Sequence, residues 1–326
     1  MKPNNRITVV GCGVSGLTTG VKLVRAGFNV EIVAQYHSPN TTSDVAAAIY
    51  FPFLAKPEDK VLDWSIDSRI EFELLARDHP ESGVHIIDLL WLSKDEIKSD
   101  PEWVKAVAEP PRRARQDELP DGFRDGLVTF VPLIETPIYM PFLHSIFVSA
   151  GGIIRPPGRR IDDLSLLAAE EGSLVINCTG LGAKPLCKDE SLRPVKGQVI
   201  RIEKISLQRA VGYDLDKNAL AYVLPRTHDC VLGGTAEEGV WDDKPSEEQR
   251  EGIRERCGVL VPSVKNARML SEAARSRPVR DEVRVEWDPV DRRIVHNYGH
   301  GGSGFTLSWG CAQEVVKLVQ IIFDPK

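Results

Sequence analysis

The chain has 326 residues, of which 42% are hydrophobic and 27% charged, and its formal net charge is −6. This composition is typical of a folded protein and excludes a disordered one, while a net negative charge disfavours nucleic acid as the main partner. No stretch reaches the roughly 18 to 20 uncharged apolar residues that a membrane span requires.

The first residues of the chain predict a β-α-β unit. Residues 7–10 form a short apolar strand, 17–26 have the apolar spacing of a helix that ends before a glycine, and 30–34 form a second strand. A continuously apolar first strand is typical of a buried parallel sheet. We therefore expect an α/β nucleotide-binding fold at the start of the chain.

The rest of the chain predicts two further kinds of structure. Helices are expected over 61–77, 137–150, 247–261 and 304–322, and strands over 84–92, 127–134, 153–155, 174–177, 269–287 and 294–297. Residues 197–234 alternate between apolar and polar side chains, with turns at 214–217 and 226–229, which predicts an antiparallel sheet. Residues 101–125 are expected to be surface loop. The predicted class is α/β (α+β overall), with a Rossmann-like domain and a second domain built on a mixed or antiparallel sheet.

The run GCGVSG at residues 11–16 is a GxGxxG motif placed between a strand and a helix. The first glycine permits the tight turn, the second lets the backbone approach a pyrophosphate, and the third lets the helix pack against the strand. Dinucleotide binding is the favoured interpretation and a plain glycine turn the alternative. The acidic residue that normally binds the ribose is replaced by Gln35 at the end of the second strand.

The run HNYGHGGSGF at residues 296–305 is the more specific motif. Its four glycines allow the backbone to lie against a flat ligand, and the following helix directs its positive end towards the same place. Such a site suits a flavin, whose reduced form carries negative charge. A glycine-rich loop without a ligand is the alternative.

Six more runs appear in order along nearly the whole chain: TTSDVAA (41–47), NCTG (177–180), GQV (197–199), YVLP (222–225), GGT (233–235) and RPVR (277–280). With these motifs the chain resembles the FAD-dependent D-amino-acid oxidases, including the related D-aspartate oxidases. The resemblance implies FAD as cofactor and oxidative deamination of a neutral or hydrophobic D-amino acid, with hydride transfer to flavin N5. Dioxygen would be the second substrate, and a 2-oxo acid, ammonia and hydrogen peroxide the products.

The resemblance also implies a domain division and site residues. Residues 1–55, 138–195 and 288–326 would form a discontinuous FAD-binding domain, and 56–137 and 196–287 the substrate domain. Arg284 would bind the substrate carboxylate, the Tyr222 hydroxyl would also contact it, and the Gly302 carbonyl would accept from the amine. The expected FAD contacts are Gly11, Gly13, Val14, Ser15, Gly16, Gln35, Thr41, Thr42, Ser43, Ala48, Ile49, Ile161, Thr179, Gly301, Gly302, Ser303, Gly304, Phe305 and Thr306.

Two departures from the family pattern bear on the substrate. Family members often place a second tyrosine near the substrate, where this chain has residues 217–219 and Ala236, and D-aspartate oxidases place an arginine at the Ala236 position. An acidic substrate therefore lacks its expected partner, although Arg226 and Arg280 are nearby in sequence. Phe51, Phe53 and Ala236 are expected to line an apolar side-chain pocket.

Alternative interpretations are a D-aspartate or glycine oxidase of the same fold, a flavin-binding protein without turnover, and an NAD-dependent dehydrogenase. No metal site is expected, because the two histidines of the 296–305 run straddle glycines rather than one helix face. The six cysteines form no Cys-x-x-Cys pair, which favours a reducing compartment. The last residues, FDPK, carry no Ser-Lys-Leu type address, so a cytoplasmic enzyme is expected, and a homo-oligomer is left open.

Overall fold

The computed structural model describes residues 6–169, 173–214 and 219–323. Its helices alternate with strands in the first and last thirds of the chain, and strands dominate the middle. The helices of the described residues are α1 (Val14–Arg25), α2 (Thr42–Val45), α3 (Glu58–Asp78), α4 (Thr136–Ser149), α5 (Ala183–Cys187), α6 (Glu247–Leu260) and α7 (Ser308–Phe323). The strands are β1 (Arg6–Val10), β2 (Asn29–Val33), β3 (Val84–Ser93), β4 (Arg112–Arg113), β5 (Asp125–Ile134), β6 (Ile153–Ile154), β7 (Ser173–Asn177), β8 (Arg193–Glu203), β9 (Ala210–Asp214), β10 (Ala219–Pro225), β11 (Asp229–Thr235), β12 (Glu237–Glu238), β13 (Met269–Trp287) and β14 (Ile294–His300).

The described strands form one mixed sheet whose order is β4-β5-β3-β9-β10-β11-β8-β13-β14-β7-β1-β2-β6, with β12 paired to β8. The five strands from β14 to β6 are parallel, as a Rossmann-like unit requires. From β13 to β9 each neighbouring pair is antiparallel. The expected α/β class with a parallel part and a largely antiparallel part is confirmed, while the exact domain boundaries stay a prediction.

The parallel part of the sheet is buried on both faces, which explains its continuously apolar first strand. Val9 lies opposite Ile32 on one side and Ile176 on the other, and all three side chains have no exposed surface. Helix α1 covers one face with apolar residues spaced for a helix, including Leu17 and Val21. This packing fixes the turn before α1 at the carboxyl ends of β1 and β7.

Strand β13 connects the two parts of the sheet, because it pairs with β8 on one side and β14 on the other. The pairing with β14 shifts register between Val279 and Arg284, where five steps along β13 span only two along β14. Such a bulge changes which side chains face each side of the sheet.

The sequence located most elements to within a few residues, and β13 coincides with its predicted range. The last helix begins at Ser308, four residues later than expected, because 301–307 form turns. The short elements α5, β4 and β12 were not predicted, and most of the turn expected at 214–217 lies outside the described residues. In the described ranges, no helix is both long and apolar enough to cross a bilayer.

Candidate active site

A cavity of about 1030 Å³ runs from the glycine turn after β1 to the antiparallel strands β8, β10 and β13. Its wall carries most of the residues expected from the sequence: Gly11, Gly13, Val14, Ser15, Gln35, Thr41, Thr42, Ser43, Ala48, Ile49, Ile161, Thr179, Tyr222, Gly301, Gly302, Gly304, Phe305 and Thr306. One continuous cavity therefore brings the two glycine motifs and the substrate tyrosine together. The contacts of these residues with FAD stay a prediction.

The glycine turn has the close packing that the motif predicts. Gly11 has a φ of 117°, and a Cβ atom built on it would lie 2.3 Å from the Cys178 carbonyl oxygen. A Cβ atom on Gly16 would lie 2.0 Å from the Gly11 carbonyl oxygen, so this glycine packs α1 onto the turn. Gly16 is not on the cavity wall; its packing role is the one that the motif predicts, while its contact with FAD stays a prediction.

Residues 46–49, which follow α2 and contact the end of β5, form a second wall of the cavity. Asp44 fixes its start, because its Oδ2 accepts hydrogen bonds from the Thr41 backbone N–H at 2.8 Å and the Thr41 hydroxyl at 2.6 Å. The Ala48 carbonyl then accepts from the Ile134 N–H of β5 at 2.9 Å. The backbone at 46–49 is thereby held against the sheet, with three alanines and Ile49 lining the cavity.

The C-terminal glycine loop packs against the segment 51–54. Gly301 has a φ of 57°, and a Cβ atom on it would lie 1.9 Å from the Leu54 carbonyl oxygen. The Ser303 hydroxyl accepts from the Phe53 N–H at 2.6 Å and donates to the Phe53 carbonyl at 2.8 Å. Ser303 is buried and not on the cavity wall, and its hydroxyl links two chain segments, while its expected contact with FAD stays a prediction.

A buried polar chain stands behind the pyrophosphate end of the cavity. Asn297 donates through Nδ2 to the Thr19 hydroxyl at 3.0 Å, so its Oδ1 accepts from His300 Nε2 at 2.9 Å. His300 Nδ1 is then the acceptor that faces the Ser15 hydroxyl at 3.5 Å. Burial lowers the pKa of His300 to about 4, so the ring is neutral at pH 7 and orients Ser15 without adding charge.

At the other end of the cavity, the Tyr222 ring lies over a pair of glycines in β11. A Cβ atom on Gly233 would lie 1.9 Å from the Tyr222 ring, so only glycine leaves room for the tyrosine. Burial raises the pKa of Tyr222 to about 12, while the nearby Arg277 charge opposes this rise. The hydroxyl is therefore protonated at neutral pH, and it takes part in none of the hydrogen bonds among the described residues.

The guanidinium beside Tyr222 belongs to Arg277. Its Nη1 donates to the Thr235 carbonyl at 2.8 Å, and its central carbon lies 5.9 Å from the centroid of the Phe53 ring. Gly197 leaves space for it, since a Cβ atom there would lie 2.3 Å from Nη2. Burial lowers the pKa of Arg277, but an arginine stays charged at neutral pH. Among the described residues no carboxylate forms an ion pair with Arg277.

Arg284 does not lie on the cavity wall. Its Nε donates to Glu286 Oε1 at 2.8 Å and its Nη1 to the Tyr298 hydroxyl at 2.8 Å. Burial lowers the pKa of Arg284, but the hydrogen bonds to the Tyr298 hydroxyl and the Glu286 carboxylate outweigh it and hold the pKa above its usual value. The expectation that Arg284 binds the substrate carboxylate is therefore corrected, because its guanidinium already has a carboxylate partner elsewhere.

The apolar part of the cavity lies beside the substrate end. Phe51 stacks on Trp91 with ring centroids 4.5 Å apart, and Trp103 packs against both rings. Phe51 and Phe53 line the cavity as expected from the sequence. Ala236 does not, because it is buried with Val195 and Val279 on the other side of Phe53.

Arg226 and Arg280 lie near position 236 in sequence, where D-aspartate oxidases carry an arginine, and both form ion pairs with aspartates. Arg226 binds Asp229 through Nε and Nη2 at 2.7 and 2.9 Å, and Arg280 donates from Nε to Asp189 at 2.8 Å. Neither guanidinium is on the cavity wall, so neither replaces that arginine. Lys217 and Asn218, which stand where a second tyrosine was expected, lie outside the described residues.

Sequence reasoning missed the role of Arg277, although the RPVR run was already part of the family resemblance. The resemblance was carried over to Arg284 instead, seven residues further along β13, and the irregular pairing between Val279 and Arg284 gives no signal in the sequence. The hydrogen-bonded chain through Asn297 and His300 was also missed, because nothing in the spacing of these residues indicates a chain that ends at Ser15. The burial of His300 and the hydrogen-bond partners of its two ring nitrogens follow only from the three-dimensional structure.

Comparison with known proteins agrees with this geometry. The family model for FAD-dependent oxidoreductases matches residues 6–318. The chain is 42% identical over 315 residues to a D-amino-acid oxidase of Rubrobacter xylanophilus, covering 96% of this chain and 95% of the relative. It is 38% identical over 327 residues to a D-amino-acid oxidase of Dictyostelium discoideum, covering 97% and 92%.

Among solved structures, glycine oxidase from Geobacillus kaustophilus superposes with a TM-score of 0.82 at 19% identity, covering 97% of this chain and 95% of that one. At this identity the likeness shows the fold alone. The resemblance to the D-amino-acid oxidases that the motifs indicated is confirmed by the two relatives. The chain belongs to the family of FAD-dependent oxidoreductases that includes the D-amino-acid oxidases, and FAD is its cofactor.

Proposed function

We propose that this enzyme oxidises D-amino acids with neutral or apolar side chains to the corresponding 2-oxo acids and ammonia, with dioxygen as electron acceptor and hydrogen peroxide as product. The observation that carries the proposal is the unpaired Arg277 guanidinium beside the Tyr222 hydroxyl, in the cavity that also contains the dinucleotide turn. The names of the two relatives support the class of substrate.

The residues of the cavity fit FAD. Gly13, Val14 and Ser15 bring the start of α1 to the cavity wall, which is favourable for a phosphate anion, while the Val14 N–H itself donates to the Ser43 hydroxyl at 3.0 Å. Gln35 also lines the cavity and would bind the ribose. The alanines at 46–48 and the glycine loop at 301–304 leave room for a flat ring. Bound FAD supplies the acceptor for the hydride that leaves the substrate α-carbon.

Arg277 binds the substrate carboxylate in this proposal. A carboxylate gives the desolvated guanidinium the ion-pair partner that it lacks among the described residues, and two parallel hydrogen bonds fit the arginine fork. The Tyr222 hydroxyl donates a further hydrogen bond. Because burial keeps Tyr222 protonated, it acts as a donor and not as a base.

The Gly302 carbonyl completes the orientation of the substrate. Gly302 is exposed to the cavity, its N–H is bound to the Phe53 carbonyl at 3.1 Å, and no described backbone N–H donates to its own carbonyl. This oxygen is free to accept a hydrogen bond from the substrate amine. With carboxylate and amine fixed at two sites, the direction of the α-hydrogen depends on chirality, which is how the cavity would select one enantiomer.

The substrate side chain would occupy the space beside Phe51 and Trp91. Two stacked aromatic rings favour apolar groups, since they bury carbon surface and offer no charged partner. This distinguishes the proposal from a glycine oxidase, whose substrate has no side chain to fill that space. The six cysteines are all free thiols, which supports a reducing compartment such as the cytoplasm.

The proposal is tested with the FAD-loaded protein and a peroxide-coupled assay over D- and L-amino acids. The visible spectrum is recorded first, since a flavoprotein is yellow. We expect turnover of D-valine and D-alanine, far slower turnover of glycine and none of the L enantiomers. A yellow protein that consumes only L-amino acids, or that oxidises glycine faster than every D-amino acid, would overturn the proposal.

A further inference from the structure

A second arginine lies on the wall of the same cavity. Arg275 precedes Arg277 by two positions in β13, so the two side chains leave the strand on the same face. Their Cα atoms are therefore separated by about 7 Å, the rise of two residues in a strand. This arrangement places two guanidinium groups along one wall of the substrate end.

The Arg275 guanidinium is weakly engaged. Its Nη1 lies 3.5 Å from Asp243 Oδ2 and 3.4 Å from the Ala274 carbonyl oxygen, both at the outer limit of a hydrogen bond. The structural arginines nearby, Arg226 and Arg280, bind their aspartates at 2.7 to 2.9 Å. Most of the donors of Arg275 therefore have no short contact with an acceptor among the described residues.

The surroundings of Arg275 leave room for an incoming anion. Residues before Val279 in β13 have no β14 neighbour, and on that side the Ser276 hydroxyl donates to the Val240 carbonyl at 3.1 Å. The following loop brings Asp243 to the cavity wall. The Asp243 side chain is 47% exposed and that of Arg275 33%, so Asp243 can turn into solvent at little cost when another carboxylate takes its place.

We propose that Arg275 binds a carboxylate in the side chain of the substrate, so that the enzyme also oxidises the acidic D-amino acids D-glutamate and D-aspartate. The inference rests on the proposed function, because it requires the α-carboxylate to occupy Arg277. D-glutamate, dioxygen and water would give 2-oxoglutarate, ammonia and hydrogen peroxide. The substrate space then has an apolar wall at Phe51 and Trp91 and a cationic corner at Arg275.

This inference changes the expectation for acidic substrates. The sequence shows alanine at position 236, where D-aspartate oxidases carry arginine, and the structure turns Ala236 away from the cavity. Arg275 supplies the missing charge from a different strand. Its pairing with Asp243 shields that charge when the substrate is neutral, so one cavity accepts both classes.

The test compares D-glutamate with D-glutamine, which has the same shape and no side-chain charge. The measured quantity is the ratio of kcat/KM for D-glutamate to kcat/KM for D-glutamine in the FAD-loaded enzyme. Arg275→Leu should lower this ratio roughly 10- to 100-fold, the effect of losing a hydrogen-bonded charge partner. Asp243→Asn removes the competing carboxylate and should raise the ratio.

Arg268→Leu is the matched control. Arg268 directly precedes β13, pairs with Glu203 at the same distance of 3.5 Å, and is not on the cavity wall. It removes the same charge, so a change of the ratio in this variant would indicate long-range attraction and not a binding site. If Arg275→Leu changes the ratio no more than Arg268→Leu does, the inference is wrong.

Binding gives a readout that does not depend on turnover. Glutarate carries two carboxylates and pentanoate one on a chain of the same length, and binding of either is followed by the change in flavin absorbance. Arg275→Leu should weaken glutarate and leave the affinity for pentanoate nearly unchanged. Equal weakening of both acids would overturn the inference, whereas failure of the wild type to oxidise D-glutamine, D-valine and D-alanine would overturn the proposed function itself.

Discussion

Replacing Arg277 tests the centre of the proposed site. In Arg277→Leu the substrate carboxylate would keep the Tyr222 hydroxyl but lose its guanidinium partner, because Arg284 is bound to Glu286 and Arg275 lies two residues further along β13. Removing one partner of a buried ion pair costs about 3 to 5 kcal/mol. Since about 1.4 kcal/mol is a factor of ten, kcat/KM for D-alanine should fall about 10²- to 10³-fold or more.

The Arg277→Lys variant tests whether the substrate carboxylate needs only a positive charge or also the planar guanidinium group. A lysine retains the positive charge but replaces the planar fork by a point charge, so it loses one of two parallel hydrogen bonds. A hydrogen bond to a charged group contributes about 1.5 to 3 kcal/mol, which predicts a fall of roughly 10- to 100-fold. The lysine variant should therefore lie between the wild type and Arg277→Leu.

Arg284→Lys is the matched control on the same strand. Its ammonium keeps an ion pair with Glu286, whose side chain is 58% exposed, and does not face the cavity. We expect kcat/KM to change less than in Arg277→Lys. The assay is initial-rate peroxide release over a range of D-alanine concentrations, with FAD content fixed by absorbance.

The Tm of the apoprotein provides a second measurement on the Arg277→Leu variant. In the free protein the guanidinium is desolvated without a carboxylate partner, so leucine should leave the Tm of the apoprotein unchanged or raise it. A loss of activity together with an unchanged Tm assigns the effect to the substrate. If Arg284→Lys proves more damaging than Arg277→Lys, or Arg277→Leu retains kcat/KM within a few-fold, the assignment of the carboxylate to Arg277 is refuted.

Three further outcomes are expected. Gly11→Ala should prevent FAD binding, measured by quenching of FAD fluorescence, because its Cβ would meet the Cys178 carbonyl. Gly27 also has a positive φ but has open space around it, so Gly27→Ala should bind FAD normally. His300→Asn should flatten the pH dependence of urea unfolding. The folded pKa of about 4 lies below the unfolded 6.5, so the unfolded chain binds more protons in that window and wild-type stability falls as pH drops from 6.5 to 4; an equal slope in both proteins would contradict this. Phe51→Ala should lower kcat/KM for D-valine about tenfold more than for D-alanine, since the lost contact is with the side chain; equal losses would place the side chain elsewhere.

The sequence predicts the parallel part of the fold well because local and tertiary signals agree there. The apolar strand β1, the glycine turn and the helix α1 each have a distinctive pattern, and all three are required by one packing arrangement. Short elements such as β12 and α5 have no such pattern, since two to five residues carry too little periodicity. Their positions follow from contacts with residues far away in the chain.

Some residues of the candidate site could likewise be predicted from the sequence, and others could not. Tyr222 and the glycine motifs could be found from the sequence, because their residue types are required by close packing over Gly233, Gly11 and Leu54. The arginine could not be assigned by residue type, since β13 contains several arginines, and the cavity wall includes Arg275 and Arg277, before the register shift, but not Arg280 or Arg284.

The glycines of the C-terminal loop illustrate why a motif can be right while the role of one member is not. Gly301 and Gly302 lack side chains because Leu54 and Phe53 occupy the space where a Cβ would be, and Ser303 bonds to that same segment. The motif therefore encodes the docking of two chain segments against each other, and the flat site is a consequence of that docking. A ligand-based interpretation assigns every residue of the run to the cofactor, whereas Gly301 and Gly302 both line the cavity and pack on the segment behind it, and Ser303 contacts that segment without reaching the cavity wall.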